Sequence, residues 1–144
     1  MSYKLDEIDR EIIRALQEDA RTPFTEIGRK LGISDATVHV RMKKMRKAGI
    51  IKKYTIMVDE EALGREVAGY VLMSVKHGKV EKVSKKLVKM KKVTLVQEVH
   101  GAGDILVKIE AGSLKELRDV VMEIQEDPDV TSSECLTIFK TWKE

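Results

Sequence analysis

Leu5, Ile8, Ile12 and Leu16 recur at intervals of three and four with charged residues between them, the spacing of one apolar stripe on an α-helix. Asp6 stands where that helix would begin and Asp9 follows three residues later, and acids in a first turn suit the helix dipole. A second stripe, Ile27 and Leu31, predicts a short helix that ends at Gly32. It starts either with Thr22 as N-cap and Pro23 in the first position, or with Thr25 as N-cap. Gly28 inside it costs roughly 1 kcal/mol relative to Ala, and close approach of another helix is the expected compensation. A third helix runs from Ser34, its cap, to Ala48, with Val38, Met42 and Met45 inward and Gly49 as the stop. Helix, short helix, glycine-containing turn and longer helix follow in the order of a helix-turn-helix.

Beyond Gly49 the period changes. "IIKKYTIMVD" reads as a strand leading outward, and "DEEALG" as a connector closing at Gly64. "EVAGYVLMSVK" is a β-branched strand, and "KVEKVSKKLVKMKK" a helix with Val80, Val83, Leu87 and Met90 inward. "VTLVQEVHGAGDILVKIEAG" holds two strands around a glycine turn. "SLKELRDVVMEIQED" is a helix opened by a Ser113/Glu116 capping box, with Leu117, Val121 and Ile124 inward, and "PDVTSSECLTIFKTW" is a last strand. The expected fold class is therefore α+β: a helix-turn-helix over residues 1–53, a strand and hinge over 54–65, and a ferredoxin-like βαββαβ sandwich over 66–144.

Charge sharpens this division. Residues 1–53 carry 13 Lys+Arg against 8 Asp+Glu, residues 54–144 carry 14 against 16, and residues 34–53 hold seven basic residues and one acid. A local patch of that kind attracts a polyanion and releases its counterions. No apolar run approaches the ~20 residues of a membrane span, and the start "MSYKLDEIDR" lacks the apolar core of a signal peptide, so a cytoplasmic protein with no membrane partner is expected. The single Cys135 sits in an apolar strand-like segment and is expected to be a buried small hydrophobe.

A helix that reads a duplex presents its first turns to base edges while its flanks hold phosphates. Thr37, His39, Val40 and Arg41 offer hydroxyl, imidazole, methyl and guanidinium groups for base edges or nearby phosphates, and Ser34 with the backbone amides at the start of the helix is suited to a phosphate. Lys43, Lys44, Arg46 and Lys47, with Lys52 and Lys53, are suited to phosphate contacts. A lysine-rich face is by itself as consistent with plain solvation; the order of the three helices and the charge split favour double-stranded DNA. The equally basic run 79–92 is read as the solvated side of a helix covering a sheet, with an auxiliary path for wrapped DNA as the alternative.

Chemistry of other kinds is sparse. There is no phosphate-binding glycine loop with lysine, no Gly-x-Ser-x-Gly, no His-Glu-x-x-His and no cysteine pair, so neither an enzyme nor a cofactor is expected. His39, His77 and His100 fall in three separate elements without metal-ligand spacing. The turn "VHGAGD" has two readings, a hairpin that needs positive φ, or a small-molecule site in which free amides hold a carboxylate and Asp104 pairs with an ammonium group.

Taken with "LDEIDREIIRALQEDARTPFTEIGRKLGIS", "TVHVRMKKMRKAGIIKKYT", "ALG" in the connector, and Gly101 and Asp104 in the glycine turn, the chain resembles the Lrp/AsnC, or feast/famine, transcription regulators over essentially its whole length. The resemblance implies a winged helix-turn-helix hinged to a domain that oligomerises, as dimers assembling into octamers, and senses an amino acid at contacts between dimers. It places the effector site at His100, Gly101, Gly103 and Asp104, with Thr131 and Ser133 nearby. Two positions depart from the pattern, His100 where threonine is frequent and Gly28 where a small alanine-like residue is usual. Two alternatives share the resemblance: a nucleoid-like architectural DNA-binding protein, and a siroheme decarboxylase-like subunit in which the histidines would surround a tetrapyrrole.

Overall fold

The computed structural model describes residues 3–143, which form two compact units divided between Val58 and Asp59. The first contains α1 (Glu7–Glu18), α2 (Phe24–Leu31) and α3 (Asp35–Lys47). Asp6 caps α1 reciprocally: its carboxylate accepts from the Asp9 amide at 2.8 Å, and the Asp9 carboxylate accepts from the Asp6 amide at 3.2 Å. Ile12, Ile27, Val38, Met42 and Met45 are the fully covered centre, and Leu5, Ile8, Leu16 and Leu31 lie partly buried around it. Each helix thus contributes the stripe its spacing predicts.

The start of α2 differs from both expectations. Pro23 is the N-cap, with extended ψ and no side-chain bond, while the Thr22 hydroxyl turns back to donate to the Asp19 carbonyl at 2.8 Å. A proline suits a cap because φ near −60° is allowed there and no amide needs a partner. What approaches Gly28 is also not a helix face but the turn itself: a Cβ at this position would stand 2.6 Å from the Ile33 carbonyl oxygen. Gly32, at φ 69°, turns the chain sharply enough to bring Ile33 back over that glycine.

The strand expected over 50–59 does not form. Among the described residues no strand precedes Val67, so the wing implied by the resemblance is absent from this unit. A strand requires a ladder partner, and none is offered to this segment within the unit. Arg46 instead takes up the carbonyls of Ile51, at 3.2 Å, and Lys52, and its guanidinium lies 5.7 Å from the Tyr54 ring centroid.

The second unit runs β1 (Val67–Val75), α4 (Val80–Leu87), β2 (Val93–Glu98), β3 (Ile105–Ala111), α5 (Leu114–Gln125) and β4 (Val130–Thr137). The sheet order β2-β3-β1-β4, antiparallel throughout, is that of a ferredoxin-like sandwich. Val71, Met73, Ile105, Val107 and Ile109 form its covered side against Val83 and Leu87 of α4 and Leu117, Val120 and Ile124 of α5. Strand alternation places Tyr70, Leu72 and Leu106 on the opposite side, half-exposed, with Leu136 further exposed.

Four local expectations are corrected here. α4 ends at Leu87, although Met90 still packs on the core from the following turn. Glu116 accepts from the Gly112 amide at 2.7 Å, one residue ahead of the cap, so the Ser113 capping box is only half made; Val121 packs partly buried on the core as its spacing predicts, with Val120 covered beside it. β4 stops at Thr137 because β1 has few residues left to pair with, and Phe139 and Trp142 beyond it are exposed. Cys135 is exposed rather than buried, since β4 is an outer strand with a neighbour on one side only. Partial desolvation pushes its thiol pKa up, which leaves it a poor nucleophile.

Candidate functional site

α3 has one side in the core and one side bare. The Ser34 hydroxyl accepts from the Thr37 amide at 3.1 Å and lies 2.8 Å from the Thr37 hydroxyl, so the cap and the first outward polar group form one unit. His39, Val40, Lys43, Lys44 and Lys47 are exposed. Val40 is 53% exposed, an apolar side chain left in water between cations. Among the described residues Lys43, Lys44 and Lys47 make no ion pair, so their charge is uncompensated. The His39 ring meets Phe24 edge-on at 4.5 Å, which ties its orientation to the start of α2.

Two expected groove residues are occupied elsewhere. Arg41 turns toward α1, where Nη1 donates to Asp6 at 2.7 Å and to Asp9 at 2.8 Å. These two carboxylates hold its guanidinium above its ordinary pKa, and the Asp6 carboxyl is held below the usual range first by the Asp9 amide and then by Arg41. Arg46 is engaged by the exit segment, as described above. Both deviations have the same cause: an arginine beside oxygens that still have free lone pairs folds back onto them, since a charge-assisted bond is the strongest it can make locally. The second basic run is compensated in part, by Lys82–Asp129, Lys86–Asp127 and Lys85–Glu81 at 2.5 Å each, and by Lys92–Glu116.

The glycine turn combines structural and open groups. Val99 donates to the Asp104 carbonyl at 2.9 Å, which closes the turn. Asp104 is anchored to β1 twice, its amide donating to the Met73 carbonyl at 2.8 Å and its carboxylate accepting from the Val75 amide at 2.9 Å. Gly101 has φ 142°, as a hairpin reading requires; Gly103 serves a different need, since a Cβ there would stand 2.8 Å from Leu72 and 3.0 Å from the Met73 carbonyl. His100 and Gly101 are exposed. Thr131 and Ser133 lie on β4, on the other side of β1 at the same end of the sheet, where Ser133 pairs in register with Met73 and accepts from Gln125 at 2.8 Å. No bond joins them to the turn among the described residues.

Residues 5–46 match the AsnC-type helix-turn-helix domain and residues 68–144 match the Lrp/AsnC ligand binding domain. The chain belongs to the Lrp/AsnC family of transcription regulators. It is 39% identical to the HTH-type transcriptional regulator FL11 of Pyrococcus abyssi over 144 residues, all of this chain and 95% of that protein. It is 36% identical to the regulatory protein AsnC of Haemophilus influenzae, over 93% of this chain and 91% of that one. The structure of Escherichia coli AsnC superposes with a TM-score of 0.89 at 30% identity, covering 99% of this chain and 97% of that one.

As an Lrp/AsnC regulator the chain is a DNA-binding protein with a ligand-binding domain. No helix among the described residues is long and apolar enough to cross a membrane, and no group of three His, Cys, Asp or Glu residues there is placed to hold a metal ion. Sequence reasoning missed Tyr3 and the second role of Asp9: the Tyr3 hydroxyl donates to the Asp9 carboxylate at 3.0 Å, and Asp9 is 1% exposed. The one available signal was Asp9 itself, a charged residue one turn before Ile12 on the same side of α1.

Proposed function

We propose that this Lrp/AsnC regulator recognises discrete operator sites with Thr37, His39 and Val40 of α3 at base edges and Lys43, Lys44 and Lys47 on phosphates. The observation that carries this reading is Val40, an exposed apolar group on a capped helix among uncompensated lysines. A solvated helix face tolerates a lone valine, but between lysines free to hold phosphates a thymine methyl is its natural partner. Footprinting at physiological salt tests it: protection of discrete sites well above the non-specific background supports the reading, and broad protection identifies an architectural protein instead.

The ligand is an amino acid held at the glycine turn. Asp104 spends one carboxylate oxygen on Val75, which leaves the other for an ammonium group, and His100 and Gly101 are open to solvent. Thr131 and Ser133 contribute from β4. The protein works as a dimer that assembles further, toward an octamer, through the uncovered sheet side bearing Tyr70, Leu72, Leu106 and Leu136, since such a side gains stability by pairing. A twofold dimer places two copies of α3 on half-sites about one helical turn of DNA apart, or a multiple of it. Ligand binding changes how dimers associate and thereby the spacing of bound DNA. It acts in the cytoplasm, without catalysis, cofactor or metal. Calorimetry against the common amino acids tests the ligand, and absence of colour with haem-like tetrapyrroles removes a decarboxylase-like role.

A further inference from the structure

We propose that Arg41, Asp6 and Asp9 form a positioning device that sets the angle of α3 for base recognition, and that Arg41 does not itself touch DNA. The inference rests on the DNA-binding reading above. Arg41 follows Val40 directly and lies one turn after Thr37, yet its Nη1 is held by Asp6 at 2.7 Å and Asp9 at 2.8 Å. Those two acids are also the capping box of α1. One set of carboxylates therefore fixes the first turn of α1 and the middle of α3 together.

Asp9 is the anchor. Its side chain is 1% exposed and its oxygens accept from the Asp6 amide, the Tyr3 hydroxyl and Arg41. The other contacts in this region, through Ile12, Met42 and Met45, are apolar and non-directional, so they tolerate small sliding and rotation of α3. A charge-assisted bond to a buried carboxylate does not, and groups such as Thr37 and Val40 need placement to within about 0.5 Å to discriminate bases. Electrostatics points the same way. A helix that merely collected phosphates would bind more tightly without Asp6, whose side chain is 52% exposed beside Arg41.

The test measures binding of the full-length protein to its footprinted site and to random DNA over a range of salt, for Asp6→Asn, Arg41→Lys and Arg41→Met. Asparagine remains an N-cap, so Asp6→Asn keeps the start of α1, and thermal midpoints check folding of all three. Asp6→Asn and Arg41→Met are expected to lower the ratio of specific to random binding by about tenfold with an unchanged salt slope, and Arg41→Lys to retain part of that ratio. A salt slope reduced by about one in Arg41→Met makes Arg41 a phosphate contact and overturns the proposal. So does Asp6→Asn if it strengthens both kinds of binding equally. Should the unaltered protein protect no discrete site, the DNA reading fails and the inference with it; an unmoved ratio on a well-defined site refutes the inference alone.

Discussion

The guanidinium of Arg41 lies 2.8 Å from the carboxylate of Asp9, thirty-two residues away in sequence and almost fully removed from solvent. A cation on the most basic helix of the first unit is thereby committed to the interior of its own domain. Removing it strands a buried negative charge. Arg41→Met is expected to cost about 2 kcal/mol, below the usual penalty for breaking a buried pair because Arg41 keeps 24% of its side-chain exposure. Asp9→Asn is expected to cost less, since the Arg41 that remains still has Asp6 and water. Urea unfolding of the two variants measures the difference, and equal losses would contradict this asymmetry.

Gly28→Ala should destabilise despite alanine's better helix propensity. The gain is roughly 1 kcal/mol. Against it stands a Cβ 2.6 Å from the Ile33 carbonyl oxygen, a backbone atom held by the turn that leads into α3. We expect a net loss of about 1–2 kcal/mol and a lower thermal midpoint. A rise in the midpoint would show that the turn relaxes freely.

Val40→Ala removes apolar contact without altering charge. Its expected effect is a loss of about 1 kcal/mol of discrimination at one operator position, with unchanged affinity for random DNA. Lys43→Gln should do the reverse, weakening all sequences and lowering the salt slope by about one. Titrations at several salt concentrations separate the two patterns.

Acid should loosen the ligand-binding unit in a defined window. Lys86 first, and then the Asp129 amide, hold the Asp127 carboxyl below the ordinary range; Lys82 does the same for Asp129. A depressed folded-state pKa stabilises fully above the unfolded value of about 3.9, and that contribution fades as pH falls through the lower folded value. Asp129→Asn is therefore expected to flatten the decline of stability below about pH 4 and to weaken the protein at neutral pH. Thermal midpoints recorded from neutral pH downward supply the comparison.

Asp104→Asn keeps an oxygen for the Val75 amide while removing the charge proposed to meet an ammonium group. The turn should persist and the amino-acid response disappear, as seen by calorimetry. A retained response would place the ligand elsewhere.

Apolar spacing alone determined the three helices of the first unit, the βαββαβ order of the second and nearly all of both cores, because Ile12, Val38, Val71 or Leu117 have the same preference for burial in any arrangement that keeps their period. Local cap chemistry at Asp6, Ser34 and Ser113 was legible for the same reason: each partner lies within four residues. Tertiary structure decided what depends on distant neighbours. It turned Arg41 inward, gave Gly28 a carbonyl to make room for, left 50–59 without a ladder, and exposed Cys135 on an outer strand. A charge chooses among acceptors by proximity in space, and a strand exists only beside another, so neither outcome is written in the order of residues along the chain.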